Sequence, residues 1–352
     1  MPLEFKSEIK TAEVLTPTGR PMSYELEYRW DPLTSRVSVI CPHLKEKWTE
    51  FYSIRDEDWL TTLVEASKEK ERCPFCRPTI DEVAAKFAHH QLDAEMLTVD
   101  EVYVFPNLYP RTDFEAVITS PDVHYLNLDE FNTDLLCNFL TAARECIKRA
   151  YRKNNKLLYP VIGCNYLPPA GASLIHFHLQ LSIQEFPFEY LRTLIDASAQ
   201  YETREHTSFW RDLMSTNNER EIKRENNIYW YTPFAPTGFS EVRAIITRPT
   251  FLTFTTMDVR NLAEGLSAVL RFYHDHGFAA FNFIIYSGRL GSGNNGFLSG
   301  LQILARPNPR SNYISIDTWY MPLLLGQSIV LEKPEELARD LRRYFELKKP
   351  IR

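Results

Sequence analysis

The sequence predicts an α+β fold that is built from two similar halves. One predicted hairpin joins YELEYRWDPL to SRVSVICP, and a second strand pair joins EVYVFPNLYP to FEAVITSP. A long amphipathic helix with a basic last turn is predicted for LDEFNTDLLCNFLTAARECIKRAYRKNN. Helix and connector are expected for the polar segment SAQYETREHTSFWRDLMSTNNEREIKREN, which lies between the two halves.

A weak internal repeat is the evidence for two halves. The segment AVITSPDVHYLNLDEF, from Ala116, is similar to AIITRPTFLTFTTMDV, from Ala244, at an offset of 128 residues. Similarity at one fixed spacing is typical of duplication, although two α+β segments can also be similar by chance. Duplication predicts that residues 1–197 form a catalytic half and that residues 198–352 form a degenerate half framing the pocket.

Composition and charge restrict the class of protein and its partners. The chain has 352 residues, of which 44% are hydrophobic and 24% charged, and this composition excludes an intrinsically disordered protein. It contains no apolar run long enough to cross a bilayer, and its first residues do not resemble a secretory signal, so a cytoplasmic protein is expected. A net charge of −6 argues against nucleic-acid and membrane partners but permits a compact phosphate pocket.

The segment GCNYLPPAGASLIHFHLQLS places His176, His178 and Gln180 at alternate positions in an apolar run. The alternation predicts a strand with all three polar side chains on one face, about 7 Å apart in successive pairs. Such a row is either a hydrogen-bonded structural cluster or a catalytic site. A neutral imidazole can attack phosphorus, and a glutamine amide can donate to a phosphoryl oxygen without adding charge. The pattern therefore favours phosphoryl or nucleotidyl transfer.

The six cysteines are too sparse for a disulfide scaffold in a chain of this length. Cys73 and Cys76 form a CPFC motif, which is typical of metal ligation or redox chemistry, and two inert cysteines are a third interpretation. A redox pair usually begins a helix, whereas Pro78 interrupts the segment that follows this motif. Structural zinc is therefore favoured.

The motif His-x-His-x-Gln, preceded by Gly-Ala-Ser, resembles the active-site strand of the galactose-1-phosphate uridylyltransferase branch of the histidine triad superfamily. That branch includes ADP-glucose phosphorylase and diadenosine tetraphosphate phosphorylase. Further motifs of the branch recur in its order and at similar spacing: RWDPLTSRVSVICPH, CPFC, VFPNLYP and ITSPDVH. The resemblance covers about residues 24–345 and implies a duplicated histidine triad fold with a degenerate second half.

The resemblance also implies a role for each residue of the site. His178 is the nucleophile that takes up UMP or AMP from a nucleotide-activated donor, and Gln180 holds the phosphoryl oxygens. The acceptor is a sugar 1-phosphate or inorganic phosphate. Positions that contact phosphate or nucleotide in this branch are occupied by Asn107, Asn165, Ser173, Lys47 and Phe105.

Three alternative functions stay open at this point: a dinucleoside polyphosphate phosphorylase, a histidine-triad nucleotide hydrolase, and a catalytically silent nucleotide-binding protein. Hydrolytic members of the superfamily have a third histidine at the position of Gln180, so glutamine favours transfer over hydrolysis. Members of the branch are often dimers, so a homodimer is one expected assembly.

The same alignment implies a zinc site made by four residues: Cys73, Cys76, His124 and His176. Two departures from the motifs of the branch bear on the identity of the substrate. Two phosphate-binding arginines of the branch are replaced in CPHLKEK, which leaves Leu44 and Lys47, and Gln327 and Ser328 stand where the galactose enzymes have Tyr-Glu. A galactose substrate is therefore disfavoured, and a phosphorylase or another sugar acceptor is favoured.

Overall fold

A computed structural model describes residues 3–45, 57–68, 73–293, 296–308 and 320–347. Its strands, in chain order, are β1 Ser7–Leu15, β2 Pro21–Trp30, β3 Val37–Ile40, β4 Leu97–Val99, β5 Val102–Pro106, β6 Phe114–Thr119, β7 Tyr159–Tyr166, β8 His178–Gln184, β9 Glu221–Glu225, β10 Ile228–Tyr231, β11 Val242–Ile246, β12 Ala280–Tyr286, β13 Ser299–Arg306 and β14 Ser328–Val330. Its α-helices are α1 Glu57–Lys68, α2 Thr79–Val83, α3 Thr133–Lys153, α4 Glu189–Glu205, α5 Phe209–Thr216, α6 Thr256–Asp275, α7 Tyr320–Leu325 and α8 Pro334–Glu346.

The larger sheet has the strand order β4-β5-β6-β8-β7-β12-β13-β11-β10-β9, which repeats one pattern about its centre. Each half contributes a two-stranded hairpin, three further strands and a long helix. The halves meet where β7 pairs with β12 in the antiparallel direction. Ala116 pairs with Leu181, and Ala244 pairs with Leu301, so the two repeats occupy equivalent registers. The predicted duplicated α+β fold is confirmed, and its two halves share one continuous sheet.

The long helices α3 and α6 cover one face of this sheet. Helix α3 begins after Asn132, whose side chain accepts a hydrogen bond from the backbone N–H of Leu135 at 2.9 Å. Its buried residues include Leu136, Phe139 and Ala143, which recur at helical spacing and pack into the main core. The helix predicted in this region is confirmed, with its start at Thr133.

A smaller sheet has the order β1-β2-β3-β14 and joins the two ends of the described chain. The predicted hairpin is confirmed by antiparallel pairing of β2 with β3, while β14 runs parallel to β3. Strand β1 was not predicted, because its side chains are almost all exposed and show no apolar alternation. Position 197 falls within α4, and the expected division of the chain there stays a prediction.

Strand β8 separates the core from the candidate site. Leu179, Leu181 and Ile183 are buried in the main core, while the alternate residues His178 and Gln180 are only partly buried.

Among the described residues, no helix combines the length and the apolar character that crossing a membrane requires.

Candidate active site and metal centre

The side chains of Cys73, Cys76, His124 and His176 converge, with their ligand atoms all within 4.8 Å of one another. Cys73 Sγ lies 3.3 Å from His176 Nδ1, and Cys76 Sγ lies 3.2 Å from His124 Nδ1. The two Nδ1 atoms are 3.2 Å apart. Tetrahedral zinc, with Zn–S and Zn–N bonds of about 2.3 and 2.1 Å, places its ligand atoms roughly 3.3–3.8 Å apart. The donor set therefore fits zinc in both chemistry and spacing.

Hydrogen bonds on the far side of each imidazole ring fix the tautomer that a metal needs. His176 Nε2 donates to the backbone carbonyl of Ser120 at 2.9 Å. The Ser67 hydroxyl donates to the carbonyl of Val64 at 2.7 Å, so it accepts from His124 Nε2 at 2.8 Å. Each ring therefore presents the lone pair of Nδ1 to the thiols, which is the arrangement of a ligand with its outer hydrogen bond in place.

Burial sets the protonation of these groups. It lowers the pKa of His176 to about 4 and also lowers the pKa of His124, so both rings are neutral at neutral pH. Burial, and next the neighbouring Cys73, raises the pKa of Cys76 to about 12. A divalent cation between these sulfur and nitrogen atoms would favour the thiolate form.

His178 is the first residue of β8 and has one ring nitrogen engaged. Its Nδ1 donates to the backbone carbonyl of His176 at 2.8 Å, which leaves the lone pair on Nε2. Burial lowers the pKa of His178 and outweighs the opposing effect of this hydrogen bond. Nε2 makes no hydrogen bond with a residue that the structure describes. A neutral imidazole with one free nitrogen is suited to nucleophilic attack.

The structure corrects the predicted strand at its start. His176 lies before β8, because the backbone N–H of Phe177 donates to the carbonyl of His124 at 2.9 Å instead of extending the strand ladder. The His176 side chain is 1% exposed and is directed to the cysteines. His178 and Gln180 therefore share the strand, while His176 belongs to the loop that contributes to the candidate metal site.

Phe75, between the two cysteines, connects the metal site to His178. Its ring packs edge-on against His178, with centroids 5.3 Å apart, and against His176 at 5.8 Å. Behind it lies Phe105, at 5.6 Å, which is only 4% exposed and belongs to a small apolar cluster. Phe75 was not among the predicted site residues. Its position between the two cysteines of CPFC was the sequence evidence that could have identified it.

Gln180 has a charged neighbour that was not predicted. Its Oε1 accepts from Arg111 Nη2 at 3.2 Å, and Arg111 is paired with Glu115. Asn107 Nδ2 also donates to Glu115 Oε1 at 3.0 Å, so Asn107 is held by this carboxylate. Burial opposes ionisation of Glu115, but the Arg111 guanidinium and the other donors outweigh it and lower the pKa. A charged residue inside the apolar strand FEAVIT was the sequence evidence for this network.

The end of β7 and the loop that follows it carry two of the predicted phosphate contacts. Asn165 Oδ1 accepts from Asn282 Nδ2 at 2.6 Å, which links the two halves of the sheet. Ser173 follows Gly171, whose φ of +83° closes a short 3₁₀ turn, and the Ser173 hydroxyl makes no hydrogen bond with a described residue. Lys47, the remaining predicted contact, lies outside the described residues.

Solved structures of similar architecture cover nearly the whole chain. An ADP-glucose phosphorylase from Arabidopsis thaliana, with bound ADP-glucose, matches with a TM-score of 0.67 at 18% identity, over 90% of this chain and 98% of that chain. This chain has the GalT-like fold. A GalT-like protein from the same plant also matches with a TM-score of 0.67, at 19% identity over 92% of this chain and 99% of its own. A uridylyltransferase mutant matches with a TM-score of 0.65 at 17% identity, over 91% and 98% of the two chains.

The resemblance predicted from the motifs is thus confirmed at the level of the GalT-like fold. No family model matches the chain. An uncharacterized protein from Archaeoglobus fulgidus is 27% identical over 343 residues, which cover 97% of this chain and 98% of that protein.

Within the GalT-like fold, the second half has no counterpart of the histidine pair. If Leu301 is equivalent to Leu181, the sheet register places Gly300 at the position of Gln180 and Leu298 at that of His178. Gln327 and Ser328 serve the small sheet, because Gln327 Nε2 donates to the carbonyl of Val37 at 3.3 Å and Ser328 is buried in β14.

Proposed function

We propose that this protein is a nucleotidyltransferase that passes a nucleoside monophosphate through a covalent intermediate on His178. The observation that carries the proposal is the hydrogen bond from His178 Nδ1 to the carbonyl of His176, which leaves Nε2 as an unprotonated nucleophile. Gln180 lies two residues later on the same strand and provides an amide donor. In a purely structural cluster, Nε2 would be expected to have a partner, and it has none among the described residues.

The proposed reaction has two displacement steps. His178 Nε2 attacks the α-phosphorus of a nucleoside diphosphate sugar, the bond from that phosphorus to the bridging oxygen breaks, and a sugar 1-phosphate leaves. An oxygen of inorganic phosphate or of another sugar 1-phosphate then attacks the same phosphorus. The phosphorus–nitrogen bond breaks, and the nucleotide leaves as a nucleoside diphosphate or a nucleoside diphosphate sugar. The Gln180 amide and the Ser173 hydroxyl stabilise the charge on the phosphoryl oxygens.

The structure with bound ADP-glucose supports ADP-glucose as the first donor to test, with phosphate as the acceptor. A UMP-bearing donor is tested beside it, because the described residues do not specify the base. Zinc, held by Cys73, Cys76, His124 and His176, would act as a structural cross-link between the CPFC loop and the start of β8. Through Phe75, this cross-link supports the ring of His178.

The test measures consumption of ADP-glucose, UDP-glucose, UDP-galactose and diadenosine tetraphosphate with and without inorganic phosphate. Phosphate-dependent release of a nucleoside diphosphate and a sugar 1-phosphate is expected, with much slower loss of donor in buffer. His178→Ala should abolish turnover, while the exposed control His90→Ala should retain it. Equal rates with water and phosphate would indicate a hydrolase, and binding without consumption would indicate a silent nucleotide-binding protein.

A further inference from the structure

The contact between Arg111 and Gln180 gives the glutamine amide a direction. A glutamine side chain has an acceptor end, Oε1, and a donor end, Nε2, whereas an arginine side chain has donors only. Arg111 Nη2 lies 3.2 Å from Gln180 Oε1. The acceptor end of Gln180 is therefore engaged, and the two N–H groups of Nε2 remain for another partner.

Arg111 is itself held at its inner side. Its backbone N–H donates to Glu115 Oε2 at 2.6 Å, its Nε donates to Glu115 Oε1 at 3.1 Å, and its Nη2 also bonds this carboxylate. The Glu115 side chain is fully buried, while that of Arg111 is 63% exposed. The guanidinium is thus anchored by a buried carboxylate and presented at the edge of the site beside Gln180. Its planar shape allows both contacts at once.

We propose that Arg111 is a positioning residue that holds the Gln180 amide with its NH₂ group toward the transferring phosphoryl group. This inference rests on the proposed function, because only phosphoryl chemistry requires the donor end at that place. If the amide were rotated by half a turn, Oε1 would face a phosphoryl oxygen and repel it. Arg111 removes that alternative before the donor binds, so the amide does not reorganise during the reaction.

The kinetic test uses variants that avoid leaving a buried charge unpaired. Arg111→Met alone would leave Glu115 without its cation, so Arg111→Met is combined with Glu115→Gln. We expect kcat for phosphate-dependent turnover to fall about tenfold, because the hydrogen bond from the Arg111 guanidinium to Gln180 is lost. KM for the nucleotide donor should change less than about twofold, because Arg111 is not proposed to contact the substrate. Arg111→Lys, which keeps the charge, should recover part of kcat. The exposed control Arg339→Met should behave as wild type.

A double-mutant cycle shows whether Arg111 acts through Gln180. In a Gln180→Ala background, removing Arg111 and Glu115 should cause almost no further loss of kcat. A full additional loss, or a raised KM with unchanged kcat, would mean that Arg111 contacts the donor directly and would overturn the proposal.

A second measurement observes the amide itself and is independent of turnover. The side-chain amide of Gln180, in protein labelled with ¹⁵N-glutamine, is assigned by its loss in Gln180→Ala. Its two proton resonances should be distinct and sharp in wild type, and should shift and broaden in the Arg111→Met and Glu115→Gln double variant. Unchanged resonances would refute the positioning role. If no donor is consumed but the resonances change, the proposed function fails while the contact stands.

Discussion

At the scale of single residues, the site depends on which ring nitrogen of each histidine carries the proton. His124, His176 and His178 each have one nitrogen bonded to an oxygen of the protein, and that bond directs the opposite lone pair. The two metal-site rings present Nδ1, whereas His178 presents Nε2. The same residue type is therefore suited to metal ligation or to nucleophilic attack according to the oxygen atom it faces.

The outer hydrogen bond of His124 gives a prediction for zinc binding. Ser67→Ala removes the acceptor that orients this ring, so the affinity for zinc should fall about tenfold or more, without loss of any ligand atom. Competition with a chromophoric chelator measures the affinity. Thr62→Ala, an exposed substitution on the same helix, is the matched control and should leave the affinity unchanged.

Cys73→Ser should abolish stoichiometric zinc binding altogether. Failure of the wild-type protein to bind zinc, or equal zinc affinity of Ser67→Ala and Thr62→Ala, would contradict the proposed metal centre.

The sequence singled out His178 and Gln180 because polar residues stand out in an apolar run, and their roles stay predictions. The family resemblance implied the four residues of the candidate metal site, and the structure brings their side chains together. Residue-level prediction missed Arg111 and Glu115 for a physical reason. Glu115 precedes Val117, which pairs with Gln180, so the network forms only when β6 aligns with β8. The register between two strands 60 residues apart is not contained in the pattern of either strand.

At the scale of elements, helix α6 lies unusually close to strand β10. A Cβ atom at Gly265 would lie 2.2 Å from ring atoms of Trp230, whose side chain is 2% exposed. The glycine therefore permits the indole ring to pack against the helix backbone. This contact fixes the distance between the helix layer and the sheet in the second half.

Gly265→Ala should therefore destabilise the protein, even though alanine is the better helix former. We expect the free energy of unfolding to fall by about 3 kcal/mol, measured by urea denaturation, because the indole ring has to move in a packed core. Gly293→Ala is the control, since a Cβ atom there meets no atom of the described residues within 4 Å. An unchanged or increased stability of Gly265→Ala would refute this description of the packing.

The order of elements was largely predictable, and their boundaries were not. Alternation of apolar and polar residues identified β8, and apolar residues at helical spacing identified α3, because each element has one face in the core. The start of β8 was placed too early, since a pattern does not show that Phe177 bonds to the carbonyl of His124. The exposed strand β1 has no apolar face and was missed for that reason.

At the scale of the whole molecule, one carboxylate joins three distant parts of the chain. Glu335, in the first turn of α8, lies 2.8 Å from Arg29 of β2 and 2.8 Å from Arg220, which precedes β9. Both guanidinium groups are buried and also pack against aromatic rings. Strand β2 and helix α8, from the two ends of the described chain, are thereby joined to the segment that leads into β9.

Glu335→Ala should lower the free energy of unfolding by about 3 kcal/mol, because it leaves the buried Arg220 guanidinium without an ion-pair partner among the described residues and leaves Arg29 with Glu27 alone. Thermal or urea denaturation measures the change. Glu336→Ala, at the exposed neighbouring position of the same turn, should cost much less. Equal effects of the two substitutions would show that this network does not hold the chain ends.

The same carboxylate predicts a pH dependence of stability. Burial opposes ionisation of Glu335, but Arg29 and Arg220 outweigh it, so its pKa in the folded protein is below the usual value. Its contribution is therefore complete above the pKa of the unfolded chain, about 4.3, and is lost as the pH falls through the folded pKa. The difference in unfolding free energy between wild type and Glu335→Gln should accordingly shrink below about pH 4. A difference that stays constant down to pH 2 would contradict this.

The repeat at 128 residues predicted the whole-molecule plan of two related halves, and the mirrored strand order confirms it. The joining of those halves into one sheet was not predictable, because it depends on pairing of β7 with β12 across separate repeats. The asymmetry that matters for chemistry is that only the first half carries the histidine pair.

Trapping the covalent adduct tests whether His178 carries the nucleotide. Wild-type protein, mixed with ADP-glucose or UDP-glucose without an acceptor and analysed as intact protein by mass spectrometry, should gain one nucleoside monophosphate less water. Peptide mapping should locate this group on His178, and addition of phosphate should remove it as a nucleoside diphosphate. Phosphate-dependent turnover while the adduct is absent, lies on another residue, or persists in His178→Ala would contradict the proposed role of His178.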